Sequence, residues 1–474
     1  MNVTRTFITV VGMTSVLIAS AMGAGTPMSP RDAELPKLEM PDEFALVFSF
    51  GYVNDFMPKD PKVFEELLQN MQRVGINTIH CKYMDWRLKL CEKYNVKMMI
   101  DLAVPEHDLK QSMLCGPDDV KATDDLANGD QSFAEAKANL EKVIAELQRV
   151  TGELAKAADE AAKTALAKQK DSLEKEKTAL EKQKAMVLCA NVRAICEQTR
   201  GSKGVWGYGL WYDNGTSGSI LNHAVEKLRL WDPTHVTFVG SYRHRGLESV
   251  NINPGCYGWY DFHWTRGVLW HYLDMHVLHD ICTRRNAIPG RYAAYSGLKQ
   301  DFLTVNQSIA AGSKMILWFI GGPYSRDTYE WNDDQDLVRI AAEVRQMYKE
   351  LMLIGLPTHI FSTPTTKTHD NKPLPNPAIP RWFKPIPQDF WTQVTGGEAM
   401  LGFFDYKDGK KAIYVANHNA FAPQEMTLKF NLDDQPTVKI FDRKHGGWLP
   451  LPSKDNSVSF TLSEGGGELL RIEN

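Results

Sequence analysis

Gly204-Val205-Trp206-Gly207-Tyr208-Gly209-Leu210-Trp211-Tyr212-Asp213-Asn214-Gly215 is a run of glycines and aromatics that ends in one carboxylate. It reads as a buried strand, followed by turn formers and a helical pattern from Ile220. If such strands alternate with helices and close into a barrel, their C-terminal ends line the active face. Asp213 then stands where an acid, base or nucleophile is needed, and the neighbouring tryptophans suit the apolar faces of a sugar ring. The rival reading is a helix N-cap, because Asp213, Asn214, Thr216 and Ser217 all precede a helix. The long polar turn before the first apolar helical residue favours a functional role.

Outward from this strand the alternation holds. Strands are predicted at Phe44 to Phe50, Ile76 to Tyr83, Val96 to Val104, Val236 to Tyr242, Cys256 to Asp261, Arg291 to Tyr295 and Lys314 to Ile320. Helical patterns separate them, including Pro61 to Val74, Val268 to Arg284, Leu298 to Ala311 and Asp334 to Leu353. Strand–helix units imply a parallel sheet, and eight of them a (β/α)8 TIM barrel of the α/β class over residues 43–361.

Two stretches break the rhythm. Residues 131–184 are rich in Ala, Glu, Lys and Leu, with Leu140, Leu147 and Leu154 at heptad spacing and Leu166, Leu173, Leu180 and Val187 in a second phase. Two phases predict a coiled-coil-like helical hairpin, either a solvated arm or a homodimer or partner contact. Residues 362–390 are proline-rich and read as a linker. Beyond them the period is two, with strands expected at Ala399 to Phe404, Lys411 to Ala416, Met426 to Phe430, Thr437 to Phe441, Ser457 to Leu462 and Glu468 to Ile472. Residues 391–474 are therefore expected to form a C-terminal antiparallel β-sandwich that caps the barrel.

At the N-terminus Arg5, the apolar Phe7 to Leu17 and Ala19-Ser20-Ala21 make a signal-peptide pattern over residues 1–21, with a linker at 22–42. The apolar run is short for a membrane span. A secreted or periplasmic protein without a span after processing is the expectation. A net charge of −4 offers no basic footprint for nucleic acid. The seven cysteines contain no CxxC pair and read as buried thiols.

Glycoside hydrolysis needs two carboxyl groups across the scissile bond. The second candidate is Asp261 in Gly258-Trp259-Tyr260-Asp261-Phe262-His263-Trp264, with Glu330 and Glu106 in reserve. Asp55, Trp211, Asn214, Arg243, His244, Tyr260, His263, Tyr295, Trp318, Glu330 and Trp331 fall at or near predicted strand ends and are the candidate substrate contacts. His271, His276 and His279 share one helix, but only the last two share a face, and no HExxH or paired-Cys motif appears. No metal and no cofactor are expected. Ser296-Gly297 and Gly321-Gly322, with Lys82, sketch a phosphate site for a lyase, which an exported protein makes the weaker reading.

Leu210-Trp211-Tyr212-Asp213 resembles the fourth-strand motif of retaining glycosidases with an aspartate nucleophile, such as α-fucosidases and α-galactosidase-like barrels. In the latter the acid/base aspartate follows strand six, which the resemblance carries to Asp261. Leu317-Trp318-Phe319 is similar to their eighth-strand tryptophan beneath the sugar, and Ala412-Ile413-Tyr414-Val415-Ala416-Asn417 to a strand of their C-terminal sandwich. The resemblance implies a secreted TIM-barrel glycoside hydrolase cleaving an oligo- or polysaccharide. The chain departs from the clan with Asn-Glu after strand four and a nucleophilic Glu after strand seven. That departure keeps a catalytically degenerate carbohydrate-binding or scaffold barrel as the alternative.

Overall fold

The computed structural model describes residues 41–49, 57–102, 126–211, 218–241, 256–261, 268–285, 287–294, 300–319, 336–367, 372–379, 383–406 and 408–473. The expected signal peptide lies outside them. Among the described residues no helix is long and apolar enough to cross a membrane.

Eight parallel strands close a barrel in chain order: β1 (Ala45–Ser49), β2 (Thr78–Cys81), β3 (Lys97–Asp101), β4 (Val205–Trp211), β5 (Val236–Ser241), β6 (Cys256–Asp261), β7 (Ile288–Ala294) and β8 (Met315–Phe319). β8 pairs back onto β1, with Val47 beside Leu317. Helices α1 (Pro61–Val74) and α2 (Asp85–Lys93) follow β1 and β2. α1 shows how local chemistry sets an element. Asp60 caps it by accepting the Lys62 N–H at 2.8 Å, Pro61 opens the first turn, and Gly75 ends it at φ 94°. Phe64, Leu67, Leu68, Met71 and Val74 make its single buried stripe.

Alternation along the strands separates two apolar layers. Ala45, Val47, Met99, Trp206, Val236, Phe238, Ile288, Met315 and Leu317 fill the lumen as one cluster. Their neighbours Leu46, Phe48, Ile79, Met98, Ile100, Tyr208, Leu210, Val239, Ile316 and Trp318 join the helix-side core. The β3–β4 register shifts at Trp206, since Met98 pairs with Val205 and Met99 with Gly207.

Between β3 and β4 run α3 (Leu126–Lys156) and α4 (Glu160–Thr199). Gln169 reaches Glu146 at 3.3 Å and Lys184 lies 5.8 Å from the Phe133 ring, so the two helices are antiparallel. The buried residues of α4 are confined to its end, from Ala185 to Thr199. The remaining helices are α5 (Gly218–Trp231), α6 (Val268–Arg285), α7 (Gln300–Ala310), α8 (Asp336–Val344) and α9 (Tyr348–Leu353). His279 of α6 bonds the Pro357 carbonyl at 3.0 Å, a packing role for a residue the metal reading had considered. Cys81, Cys91, Cys189, Cys196 and Cys282 are all buried.

The C-terminal part holds a six-stranded antiparallel sheet in the order β17-β16-β20-β14-β13-β9 and a four-stranded one in the order β12-β15-β19-β18. Here β9 is His359–Ser362, β12 Thr392–Gly396, β13 Ala399–Asp405, β14 Lys411–Asn417, β15 Gln424–Phe430, β16 Thr437–Asp442, β17 Gly447–Leu451, β18 Ser453–Lys454, β19 Ser457–Leu462 and β20 Gly467–Glu473. Leu401, Phe403, Ile413, Val415, Leu428, Phe430 and Leu470 form the core between the sheets. β9 precedes the proline-rich stretch yet pairs with β13, so the sandwich starts before the expected boundary. Within that stretch β10 (Thr365–Lys367) and β11 (Pro373–Ala378) form a small ribbon.

The sandwich docks on α7 through buried polar contacts. Tyr414 donates its hydroxyl to Asn306 at 2.8 Å, and the Asn306 amide donates to the Gly465 carbonyl at 3.1 Å. Gln307 donates to Nδ1 of His418 at 3.2 Å, and Nε2 donates to Ser362 at 2.7 Å. Burial holds His418 at about 4, so it is neutral at pH 7.

A second buried network sits on the helix side, below β5. Asp232 accepts from the Tyr208 hydroxyl at 2.5 Å, from the Thr234 N–H at 2.8 Å and from His235 at 2.6 Å. Burial alone would raise this carboxyl, but the bonds from His235, Thr234 and Tyr208 outweigh it and hold it at about 2. The ordinary value is 3.8. A depressed folded value stabilises the protein above the unfolded pKa, and that stability is lost as pH falls from about 4 to about 2. Asp232→Asn is therefore expected to cost about 2 kcal/mol at pH 7. The melting-temperature gap to the parent protein should shrink at pH 3; a gap independent of pH would refute the charge as its source.

Candidate active site

The C-terminal mouth is where the lumen changes from apolar to polar. Ser49, His80 and Asp101 occupy lumen positions at or next to the ends of β1, β2 and β3, in phase with Val47, Thr78 and Met99. They are 1%, 5% and 9% exposed, which makes them a buried polar shelf on the apolar plug. Ser49 Oγ lies 2.9 Å from His80 Nδ1, and His80 Nε2 lies 3.9 Å from Asp101 Oδ1. Burial lowers the pKa of His80 more than the Asp101 charge raises it, so the ring is the neutral imidazole at pH 7.

Sequence reasoning missed this shelf. The signal was the alternation in Thr78-Ile79-His80-Cys81, where Ile79 and Cys81 enter the helix-side core and leave His80 on the other face.

The expected site residues fall mostly elsewhere. Asp55, Asp213, Asn214, Arg243, His244, His263, Tyr295, Glu330 and Trp331 lie outside the described residues, as does the reserve Glu106. Trp211, Tyr260 and Asp261 are described by backbone alone, at the ends of β4 and β6. Register pairs Tyr260 with Tyr292 and Asp261 with Ala293. In β7, Ile288 lines the lumen, while Arg291 turns to α7 and donates to the Thr304 carbonyl at 2.8 Å.

Trp318 requires a correction. It was expected beneath a bound sugar, yet it is 4% exposed and packs in the helix-side core beside Phe48. The lumen phase of β8 is carried by Met315 and Leu317, one residue out of step with it. The glycines of β4 play different parts. Tyr208 and Leu210 face the helices, so Gly209 faces the lumen. A Cβ at Gly207, however, would overlap the Val236 carbonyl, so that glycine serves the close approach of β5 rather than room for a ligand.

No family model matches the chain, and no curated protein matches it. Among solved structures, similarity is found to a cyclomaltodextrinase, at 12% identity and TM-score 0.46 over 92% of this chain and 79% of that one. A glycoside hydrolase family 5 protein from Bacteroides vulgatus gives 9% identity and TM-score 0.45 over 91% and 90%. An α-amylase from Geobacillus thermoleovorans complexed with acarbose gives 10% identity and TM-score 0.43 over 91% and 98%. All three share little sequence with this chain.

Proposed function

We propose that this chain is an exported glycoside hydrolase acting on an oligo- or polysaccharide, with Asp213 as nucleophile and Asp261 as acid/base. What carries the reading is the end of β4. Its glycine at 209 lies on the lumen face, the strand ends at Trp211 on the side where barrel enzymes place their chemistry, and Asp213 is two residues further along the sequence. The polar shelf of Ser49, His80 and Asp101 supports it, since polar side chains at the C-terminal end of the lumen suit a hydroxyl-rich ligand. Glu106 and Glu330, the reserve carboxylates, are to be tested beside Asp261. No metal or cofactor enters the scheme.

The test is turnover on 4-nitrophenyl glycosides of glucose, galactose, mannose and fucose in both anomers, together with soluble polysaccharides. Release of nitrophenol or reducing ends, with product configuration followed by NMR, is the expected result. Sugar binding by calorimetry without any product would establish the carbohydrate-binding alternative instead.

A further inference from the structure

Arg87 stands in the first turn of α2 and is 4% exposed, yet among the described residues it forms no ion pair. Its guanidinium lies 5.5 Å from the centre of the Phe64 ring of α1 and 5.2 Å from that of Trp86. Those two rings meet edge to face at 5.4 Å. Nε has no hydrogen-bond partner among the described residues. The nearby Cys81 thiol is no counter-ion, because burial pushes it up to about 12 and keeps it protonated. A buried charge without a partner is costly, and an apolar side chain of similar volume in such a place is often neutral or stabilising. Stability does not account for the arginine.

What the guanidinium does bond is two backbone carbonyls. Nη1 donates to Lys82 at 3.2 Å and Nη2 to Pro58 at 3.0 Å. Lys82 follows the last residue of β2, and Pro58 belongs to the connection from β1 to α1. Both lie beyond the C-terminal ends of their strands, on the face where barrels carry their chemistry. Met57 and Pro58 are buried there, so the clamp grips a packed segment. Two donors in a rigid fork fix the carbonyls relative to each other, which the ammonium of a lysine does not. Asp55, a candidate substrate contact, is three residues before Pro58 in the sequence.

We infer that Arg87 is a positioning residue: it clamps the connection after β1 to the end of β2 and so holds the stretch that leads to Asp55 in place for substrate. The effect on substrate rests on the glycosidase reading; the clamp itself does not.

The experiment uses the full chain and two variants. Arg87→Lys keeps the charge and the stem but loses the fork; Arg87→Met keeps the volume and removes the charge. Amide hydrogen exchange, followed by mass spectrometry, should speed up roughly 10-fold or more over residues 51–60 in both variants, with the interior of α1 and the barrel strands unchanged. The Met variant should melt within a few degrees of the parent. Unchanged exchange over residues 51–60, or exchange equally faster throughout α1 and α2, overturns the inference. So does a chain that neither variant leaves folded, since Arg87 is then a stability residue.

On the glycoside that the parent cleaves best, Arg87→Lys should lower kcat/KM by roughly 10- to 100-fold, mostly through KM. In an Asp55→Ala background the same substitution should cost about 3-fold or less, because the contact it positions is already gone. An equal penalty in both backgrounds overturns the route through Asp55. If the parent cleaves no glycoside, the hydrolase reading falls, and sugar affinity by calorimetry replaces kcat/KM in the same cycle. A parent that binds no sugar removes the positioning role.

Discussion

Asp213→Asn is expected to lower kcat by on the order of 10⁴-fold on any glycoside the parent protein cleaves, with KM changed only a few-fold. The amide keeps the shape of the carboxylate but cannot add to the anomeric carbon to form the covalent intermediate of a retaining reaction. The choice of asparagine is deliberate. The competing role for this residue is a cap on α5, and asparagine caps a helix about as well as aspartate does. The substitution therefore leaves a purely structural role intact while removing the nucleophile. Loss of turnover with an unchanged melting temperature assigns chemistry to Asp213; full activity in the variant withdraws the assignment. The parallel comparison of Asp261→Asn with Glu106→Gln and Glu330→Gln then identifies the acid/base, because only that variant should regain rate on a substrate whose leaving group needs no protonation.

Gly402→Ala is expected to produce the largest loss of stability, about 3 kcal/mol or more. Gly402 lies in β13, in register with Tyr414 on one side and Ile360 on the other. A Cβ there would fall onto the carbonyl oxygen of Ala310, the last residue of α7, and 2.9 Å from the Phe404 ring. A carbonyl at a helix end cannot swing aside like a flexible side chain. The sandwich must lift from α7, and the buried bonds of Asn306 and His418 lengthen with it. Gly447→Ala is the control, since that glycine has open space around it and sits in the same sheet. A fall of several degrees in Tm for the first and none for the second is the expected pair of results; equal melting would show that the seam tolerates displacement.

The barrel was legible because each strand sits between a helix stripe and a turn, as α1 shows with its cap, its proline and its closing glycine. Phase within strands was harder to read. A strand buried on both faces is apolar throughout, so nothing in Met315 to Phe319 announces that Leu317 faces the lumen and Trp318 the helices. Only pairing with β1 and β7 settles it. Ser49, His80 and Asp101 escaped for a related reason: they are separated by 31 and 21 positions, and only strand closure brings them to one wall. The start of β7 was placed late because Pro289-Gly290 resembles a turn, yet both residues hold register with β6. Asp232 is 24 positions from Tyr208, and only the fold brings that hydroxyl to it.

The apolar plug fixes how traffic through the barrel must run. Among the described residues the lower lumen is filled with apolar side chains from Ala45 on β1 round to Met315 on β8, which makes the C-terminal face the entrance. If the chain cleaves a glycoside as proposed above, reactant and both products share that entrance. A polymer cannot be threaded strand-wise through the fold, and whichever fragment lies deeper has to wait for the outer one to leave. Inhibition by the deeper fragment, competitive with substrate, is the kinetic mark that such a dead-end vestibule leaves.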